Sequence, residues 1–351
     1  MDFTFTEDQL LFRDSIKEFL SHEVTADKIR ELWTTPTGRS AELWAQLAEL
    51  GLTGMLVPES HGGLGMNEED FVLIAEECGR AALPEPLVEN VLVAVPLLNG
   101  VPNEGLKSEW LTKIVTGEAK LAIGHDINPF VTDAHIADLL LLPHGDEVHA
   151  VAKENVTLIL EESIDPSRKL FKVEWAPSAE TCVAKGAIGR KLWADVLNRG
   201  ALAAAAQQLG LAQAMVAQAV AYTSERHQFG KPIGSFQAVK HHMANVAVKY
   251  EFAKAVVYRA AYSIAHDHST AAKNVSHAKI VATEAALLAA KNAIQVYGAM
   301  GYTWEVNLHI WMKRAWVLDN AYGDRGFHKV RVADFVFAEN AALGAGNTFI
   351  A

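Results

Sequence analysis

The sequence predicts a mainly helical protein with a small β region near its middle. Apolar residues recur at helical spacing in the first and last thirds of the chain. Short β-favouring runs separated by Gly, Asp, Pro and Ser occupy the region from about 120 to about 185. After Asp195 an alanine-rich helical pattern returns, which is typical of an up-and-down bundle with closely packed helices.

The elements of the first third follow from apolar spacing and local stop signals. Thr6 is a candidate N-cap of the first helix, and Gly51 ends the second. The segment Leu50–Gly65 holds too many turn residues for a helix, so it is predicted to be a linker. Helices are predicted over 6–22, 40–50, 67–81, 86–99 and 105–116.

The remaining elements divide into a β region and a helical region. Strands of a small antiparallel sheet or barrel are predicted over 139–142, 147–152, 157–160 and 170–175. Helices are predicted over 197–225, 236–265, 270–297, 305–322 and 326–342. The sequence thus predicts three domains: a helical domain over 1–118, a reduced middle β domain over 119–190 and a helical bundle over 191–351.

Composition and charge exclude several classes of protein. Half of the 351 residues are hydrophobic, so the chain can bury a large core. Its formal net charge of −11 argues against binding nucleic acid or an anionic membrane through bulk electrostatics. The N-terminus is acidic where a signal peptide needs basic residues, and no stretch reaches about 18 uninterrupted apolar residues. Neither nucleic acid nor a membrane is therefore an expected partner.

Cysteine and histidine usage argues against a metal site. Cys78 and Cys182 form neither a CxxC pair nor a metal-binding pattern with histidine. Reduced thiols, a cytoplasmic location and no bound metal are therefore expected. The adjacent His241 and His242 are interpreted as a partly exposed feature of a helix rather than as metal ligands.

Two short segments of the last third carry the most information about function. The first runs from Arg226 to Gln237 and reads RHQFGKPIGSFQ, and the second runs from Gln295 to Tyr302 and reads QVYGAMGY. Taken singly, each segment has a structural explanation. Arg226 can meet the carbonyls at a helix end, and 298–301 can be an ordinary turn between helices.

Together, the two segments resemble the flavin-clamping elements of the acyl-CoA dehydrogenases. Further stretches resemble that family in the same order along the chain, namely Met1–Leu20, Leu50–Gly65, Glu76–Arg80 and the C-terminal bundle. The resemblance covers most of the chain. It implies an N-terminal helical domain, a middle antiparallel β domain and a C-terminal four-helix bundle, assembled as a dimer or a dimer of dimers.

The resemblance implies FAD as the cofactor. Arg226 would supply a cation for the pyrophosphate, and Phe229 an apolar wall for the adenine. Gly230 and Pro232 are expected to end the helix, so that these side chains project from its tip. In the family, the clamp reaches across the dimer interface to the flavin of the neighbouring subunit. The expected FAD-binding residues are Arg226, Gln228, Phe229, Ile233, Gln295, Gly298 and Ala299.

The family removes the α-proton of an acyl-CoA thioester with a glutamate, and both of its usual positions lack one here. One position follows Met312–Ala315 and is occupied by Tyr322. The other lies at 198–201, at the expected start of the first bundle helix, where the chain reads Asn-Arg-Gly-Ala. Asp319 and Asp324 lie near the first position. Asp324 is the candidate base, although the family pattern supports neither aspartate.

A second departure lies in the predicted middle domain. Ordinary members carry a Thr-Glu-Pro-x-Ala-Gly-Ser-type loop and a Trp-Ile-Thr-type strand, which hold the flavin ring and the substrate. Neither signature is present in Ala122–Pro129 or Ile136–Leu140. The chain is therefore similar to the smaller, base-lacking chain of a heterotetrameric, steroid-type acyl-CoA dehydrogenase. That resemblance implies a larger catalytic partner chain in an α2β2 assembly, an acyl-CoA substrate and an electron-transfer flavoprotein as acceptor.

Two alternatives stay open at the level of sequence. The first is a self-sufficient, homo-oligomeric flavoenzyme that uses Asp324 or a water-linked group as its base. The second is a helical scaffold protein that keeps the fold without the flavin. Retention of Arg226 and Gln295 argues against the scaffold, which has little need of donors for an ADP group.

Overall fold

The protein is mainly helical, with its longer strands grouped near the middle of the chain, so the predicted fold class is confirmed. The computed structural model describes residues 4–344 and residue 347. Within that part of the chain, none of the helices has both the length and the apolar character needed to cross a membrane.

The helices match the predicted segments closely in the first third and in the long bundle. An additional helix, α2, precedes the predicted segment at 40–50. The helices are α1 (Glu7–Glu23), α2 (Ala26–Trp33), α3 (Ala41–Glu49), α4 (Glu68–Ala81), α5 (Leu87–Glu89), α6 (Val95–Gly100), α7 (Glu104–Val115), α8 (Gly186–Glu225), α9 (Gln237–Ala265), α10 (Ala271–Tyr297), α11 (Leu308–Asn320) and α12 (Arg325–Val336). A π-helical segment, Asn90–Ala94, joins α5 to α6.

The strands include the predicted runs and several shorter ones. They are β1 (Leu121–Ile123), β2 (Val131–Thr132), β3 (Leu139–His144), β4 (Glu147–Ala152), β5 (Thr157–Glu161), β6 (Leu170–Glu174), β7 (Cys182–Ala184), β8 (His227–Gln228) and β9 (Lys231–Pro232). The unpredicted strands β1, β2, β7, β8 and β9 have two or three residues each and are too short to show a period of two in the sequence.

The start of α1 follows the local signal found in the sequence. Thr6 Oγ1 accepts a hydrogen bond from Gln9 N at 3.2 Å, and Gln9 Oε1 accepts one from Thr6 N at 2.8 Å. This reciprocal pair is a capping box, which satisfies two of the free backbone donors at a helix start. The proposed N-cap is therefore confirmed.

The start of α8 differs from the prediction at 197, because the helix already begins at Gly186. Gly186 and Gly189 lower helix propensity and so concealed this first part of the helix. Gly189 has a packing role: a Cβ there would lie 1.9 Å from the Asp146 carbonyl oxygen. Tertiary contact therefore overrides local propensity.

The chain divides into two compact units. The first, called the bundle unit, comprises Met1–Leu20, Val72–Ala82 and Ala204–Ala351. The second, called the sheet unit, comprises Ser21–Phe71 and Leu83–Ala203. The three-domain division expected from the sequence stays a prediction.

The bundle unit is held by close packing of small residues. A Cβ added to Gly79 of α4 would lie 2.1 Å from the Gln207 carbonyl oxygen of α8. One added to Gly210 of α8 would lie 1.9 Å from the Glu76 carbonyl oxygen. Two helix backbones therefore meet where neither glycine has room for a side chain. Half of the buried residues of α10 are alanines.

A buried carboxylate links α4 to α9 inside the bundle unit. Glu76 accepts hydrogen bonds from Tyr250 Oη at 2.8 Å and from Tyr258 Oη at 2.6 Å. Desolvation raises the pKa of Glu76, and the two hydroxyl donors partly oppose that rise. The two phenols thus satisfy a polar group that would be costly to bury alone.

The sheet unit contains two sheets around a small apolar core. One sheet has the strand order β1-β3-β4-β7 and the other β2-β6-β5. The pairing of β1 with β3 is parallel, while the other strand pairings are antiparallel. The core between these strands is formed by Ala122, Val131, Ala134, Ala137, Leu140, Leu142, Val151 and Phe171.

Candidate functional site

The first motif segment forms a β-hairpin directly after α8. The helix ends at Glu225, and β8 pairs antiparallel with β9. The turn residues Phe229 and Gly230 have φ angles of 54° and 78°, as a type I′ hairpin turn requires. The expectation that Gly230 and Pro232 end the helix is therefore corrected. The helix has already ended, and these two residues shape the hairpin.

The hairpin turn presents Phe229 to solvent. This side chain is 90% exposed, and its ring meets Phe236 edge-on with 6.0 Å between the ring centroids. A positive φ is uncommon for a bulky residue and costs conformational energy. An aromatic ring held outside the protein in this way is available to pack against a ligand or another chain.

The second motif segment forms the turn that follows α10. Gly298 ends this helix with φ 63° and ψ −141°, a backbone conformation that is essentially restricted to glycine. No atom lies within 4 Å of the position a Cβ would take, so the surface above Gly298 is open. Gln295 and Ala299 are exposed beside it. The backbone here can be approached closely by a flat ligand.

A stacked tyrosine pair places the two segments next to each other. The rings of Tyr222, near the end of α8, and Tyr297, at the end of α10, lie 4.2 Å apart at an angle of 15°. Tyr297 Oη also donates to the Gln218 carbonyl oxygen at 3.2 Å. The hairpin begins shortly after Tyr222 and the Gly298 turn directly after Tyr297, so one surface of the bundle unit carries both motif segments.

The polar groups of this surface are available for a ligand. The Arg226 side chain is exposed, and its guanidinium has no hydrogen-bond or ion-pair partner among the described residues. Gln295 is likewise exposed without a side-chain partner in that part of the chain. Gln228 Nε2 donates to the His227 carbonyl oxygen at 2.8 Å, and Ile233 is half-buried at the base of the hairpin. A cation, an amide and an apolar wall are the groups that an ADP moiety requires.

Comparison with known proteins identifies the family. The sequence profile of the acyl-CoA dehydrogenase N-terminal domain matches residues 6–118, and that of the acyl-CoA dehydrogenase C-terminal domain matches residues 188–337. The acyl-CoA dehydrogenase IpdE2 of Mycolicibacterium smegmatis is 30% identical over 311 residues, which cover 88% of this chain and 93% of that protein. The chain belongs to the acyl-CoA dehydrogenase family. Members of this family are generally FAD-dependent oxidoreductases that act on CH–CH bonds.

Solved structures share the fold of this acyl-CoA dehydrogenase. A chain of the ChsE4–ChsE5 complex from Mycobacterium tuberculosis superposes with a TM-score of 0.85 at 23% identity, covering 96% of this chain and 100% of that one. A chain of the Tcur3481–Tcur3483 steroid acyl-CoA dehydrogenase, as its G363A variant, gives a TM-score of 0.83 at 21% identity and covers 93% and 97%. At these identities, the likeness shows the fold.

The first expected position of the catalytic carboxylate lies between α11 and α12. Tyr322, which occupies it, has a φ of 55° and is only 4% exposed. Both nearby aspartates make structural contacts. Asp319 pairs with the Arg325 guanidinium at 3.2 Å, and Asp324 is exposed and accepts a hydrogen bond from Phe327 N at 2.7 Å as the N-cap of α12. Asp324 thus has a structural role that accounts for its position.

The second expected position lies inside a helix. Because α8 begins at Gly186, the segment 198–201 is in the helix interior rather than at its start. Arg199 in this segment pairs with the buried carboxylate of Glu68 at 2.6 Å. The chain therefore offers a cation at this position, where the family can place its base.

Two buried polar side chains that sequence reasoning missed fix the Tyr322 turn. His328 Nε2 donates to the Tyr322 carbonyl oxygen at 3.0 Å, and His328 Nδ1 lies 3.1 Å from the Ser276 hydroxyl oxygen. The Lys279 ammonium donates to the carbonyl oxygens of Leu318 and Asp319 at the end of α11. Lysine and histidine are residue types that are seldom fully buried, so only the tertiary structure shows their burial.

Burial of His328 predicts a specific loss of stability in acid. Desolvation, with a smaller repulsion from Lys279 and Arg331, lowers the pKa of His328 to about 4. The unfolded state binds the proton from about pH 6.5 downward, while the folded state excludes it until about pH 4. The neutral His328 therefore contributes fully to the free energy of unfolding above about pH 6.5. As the pH falls towards 4, this contribution is lost and the free energy of unfolding decreases by up to about 3 kcal/mol.

Denaturant unfolding at several pH values of the wild type and the His328→Gln variant measures this effect. The variant should be less stable near neutral pH because it loses buried hydrogen bonds, and the difference should shrink as the pH falls. His241→Gln on the exposed side of α9 is the control and should leave the wild-type pH profile unchanged. A constant difference between His328→Gln and the wild type across this range would contradict the prediction.

The loop that replaces the family's flavin-ring signature closes on itself. His125 bridges to Asn128, and His125 Nδ1 accepts a hydrogen bond from Ile127 N at 3.2 Å. The other ring nitrogen of His125 lies 3.2 Å from the Trp193 carbonyl oxygen. The hydrogen-bonding groups of His125 are thereby used within the sheet unit. In the bundle unit, His241 is exposed and His242 lies near Asn292, as expected for a partly exposed helix feature.

Proposed function

We propose that this chain is a subunit of an FAD-dependent acyl-CoA dehydrogenase that contributes FAD contacts to a partner chain carrying the catalytic glutamate. The observation that carries the proposal is the exposed surface of Arg226, Phe229, Gln295 and Gly298, which presents ADP-binding groups outward. A second observation supports it: at both positions where the family keeps its base, the charged side chains of this chain make structural ion pairs instead. A chain built in this way helps to hold a cofactor and relies on another chain for proton abstraction.

The residues of this surface have distinct roles in the proposal. The Arg226 guanidinium binds the pyrophosphate, where a charge-assisted, bidentate hydrogen bond is strongest. Phe229 and Ile233 pack against the adenine, and Gln228 donates to the ADP portion. Gln295, Gly298 and Ala299 form the flat part of the surface. When bound, FAD supplies the acceptor for the hydride that leaves the β-carbon of the acyl thioester.

The heteromeric assembly and the substrate class rest on family members. ChsE4–ChsE5 is a complex of two named chains, and the Tcur3481–Tcur3483 enzyme is named a steroid acyl-CoA dehydrogenase; both share the fold of this chain. They support a larger catalytic partner in an α2β2 assembly and a steroid-derived acyl-CoA as substrate. An electron-transfer flavoprotein as acceptor and a cytoplasmic location complete the proposal.

An absorption spectrum and a size-exclusion mass test this proposal. The chain is expressed alone and then together with a candidate larger acyl-CoA dehydrogenase chain. We expect a colourless, inactive single chain and a yellow, active complex with both chains present in equal number. Dehydrogenase activity of a yellow homo-oligomer would overturn the proposal in favour of a self-sufficient enzyme, for which Asp324→Asn becomes the next test. A complex without flavin would favour the scaffold alternative.

A further inference from the structure

A second cluster of chemically active side chains lies in the sheet unit, on one face of strands β3, β4 and β7. Glu147 and His149 are two residues apart on β4, so both point to the same face of the sheet. Cys182 of β7 is the register partner of His149, and His144 of β3 is the register partner of Glu147. Directly opposed residues of antiparallel strands share a face, so the four side chains lie on the same face of the sheet.

The geometry of this cluster fits a metal ion. One ligand atom each of Glu147, His149 and Cys182 lies within 4.8 Å of the others, and His149 Nε2 is 3.1 Å from Glu147 Oε2. Ligand atoms around a tetrahedral zinc ion are separated by roughly 3.3–3.6 Å. The cluster lines a cavity of about 610 Å³, which gives an ion access from solvent. Small side-chain shifts would therefore suffice for coordination.

The contacts around His149 hold its imidazole ring in place. His149 Nδ1 lies 2.9 Å from the Thr181 hydroxyl oxygen, and His149 Nε2 lies 3.1 Å from Glu147 Oε2. A metal ion bound at Nε2 would leave the ring proton on Nδ1, where the Thr181 hydroxyl oxygen can accept it. The Thr181 contact would then be the outer-shell bond that orients a metal-bound imidazole.

The surroundings of the cluster also suit a bound ion. His149 is 1% exposed, and its ring packs against Trp175 with 5.0 Å between centroids, so the ligand is held in one orientation. The exposed His144 ring lies 6.1 Å from the His149 ring, at the mouth of the cavity. One thiolate, one carboxylate and one or two imidazoles form a ligand set that zinc accepts readily.

We propose that His149, Glu147 and Cys182 form a zinc site, with His144 as the fourth ligand. The sequence did not indicate it, because Cys182 is far from His149 along the chain and meets it only through the β4–β7 pairing. Binding releases the Cys182 thiol proton and leaves a thiolate bound to the ion. The bound ion cross-links β4 to β7 and thereby stabilises the sheet unit.

Zinc content and affinity of the full chain, alone or in its complex, test the proposal. After dialysis against zinc-free buffer, elemental analysis should find about one zinc per chain, and added zinc should raise the melting temperature of metal-free protein. Cys182→Ser and His149→Ala should each weaken zinc binding at least about 100-fold, as measured by competition with a chromophoric chelator. Thr181→Val removes the orienting contact to His149 together with the hydroxyl's hydrogen bonds to Ser178, and should weaken binding about 10-fold.

Cobalt substitution and the other cysteine provide the controls. Cobalt should give a thiolate-to-metal charge-transfer absorption that is lost in Cys182→Ser and kept in Cys78→Ala, because Cys78 is buried in the bundle unit. A folded wild-type chain that retains less than about a tenth of an equivalent of zinc would overturn the proposal. So would zinc binding of equal affinity in the wild type and in Cys182→Ser.

Discussion

The Gly210→Ala variant should be destabilised by about 3 kcal/mol or more, and its melting temperature should fall by about 5–10 °C. The added Cβ would lie 1.9 Å from the Glu76 carbonyl oxygen and 2.4 Å from the Arg80 nitrogen. Both are backbone atoms of α4, so neither can move aside without shifting the helix. Thermal unfolding followed by circular dichroism measures the effect.

The control for this prediction is an alanine substitution at an open helix position. Gly105 lies in the first turn of α7, and only the Asn103 side chain approaches its Cβ position, at 3.6 Å. Gly105→Ala should stabilise the protein by about 0.4–1 kcal/mol through the unfolded state. Equal melting temperatures of Gly210→Ala and Gly105→Ala would refute the close contact between α4 and α8.

A double substitution locates the contact more sharply. Gly79 meets the Gln207 carbonyl oxygen at the same crossing of α4 and α8. Once one alanine has pushed the two helices apart, the second alanine should cost much less than it does alone. The Gly79→Ala/Gly210→Ala protein should therefore be clearly more stable than the sum of the two single effects predicts. Additive effects would mean that the two glycines act at independent sites.

The sequence predicts those parts of the fold that depend on local periodicity. The long helices α9 and α10 have continuous apolar faces without internal glycine or proline, so their positions follow directly from spacing. The first turns of α8 do not follow from spacing, because Gly189 lowers helix propensity and is there for its close contact with Asp146. The strands β1 and β7 form only through pairing with distant strands, so three residues of sequence carry too little signal.

The sequence indicates which residues form the candidate FAD surface. It does not indicate the backbone conformation that places them. Its motif segments are visible in the sequence, but the hairpin requires Phe229 at a positive φ, where Asn or Gly is the usual residue. The pairing of Tyr222 with Tyr297 joins residues far apart in the chain. The proposed zinc ligands do not stand out in the sequence for the same reason. His149 and Cys182 are far apart in the chain and meet only through the pairing of β4 with β7.

Arg226→Ala should weaken FAD retention by the assembled enzyme about 10- to 100-fold if this chain clamps the cofactor as proposed. A charge-assisted hydrogen bond to phosphate contributes about 1.5–3 kcal/mol, and the Arg226 side chain has no described protein partner that its loss would disturb. The fold should therefore be unchanged while flavin is lost. Fluorescence of FAD released on dilution of the purified complex measures the change.

Two further variants, Arg226→Lys and Arg190→Ala, separate the effect of the guanidinium geometry on FAD binding from the effect of positive charge. Lysine keeps the charge but lacks the bidentate fork, so Arg226→Lys should fall between the wild type and Arg226→Ala. Arg190 is an exposed arginine of α8, the helix that precedes the hairpin, and it pairs with Asp146. Arg190→Ala should retain FAD like the wild type. Equal loss of flavin from Arg190→Ala and Arg226→Ala would show a general effect of net charge. Full retention of FAD by Arg226→Ala would exclude Arg226 from the clamp. The pyrophosphate would then need another cation, and the exposed Lys231 on the same hairpin is the nearest candidate in sequence.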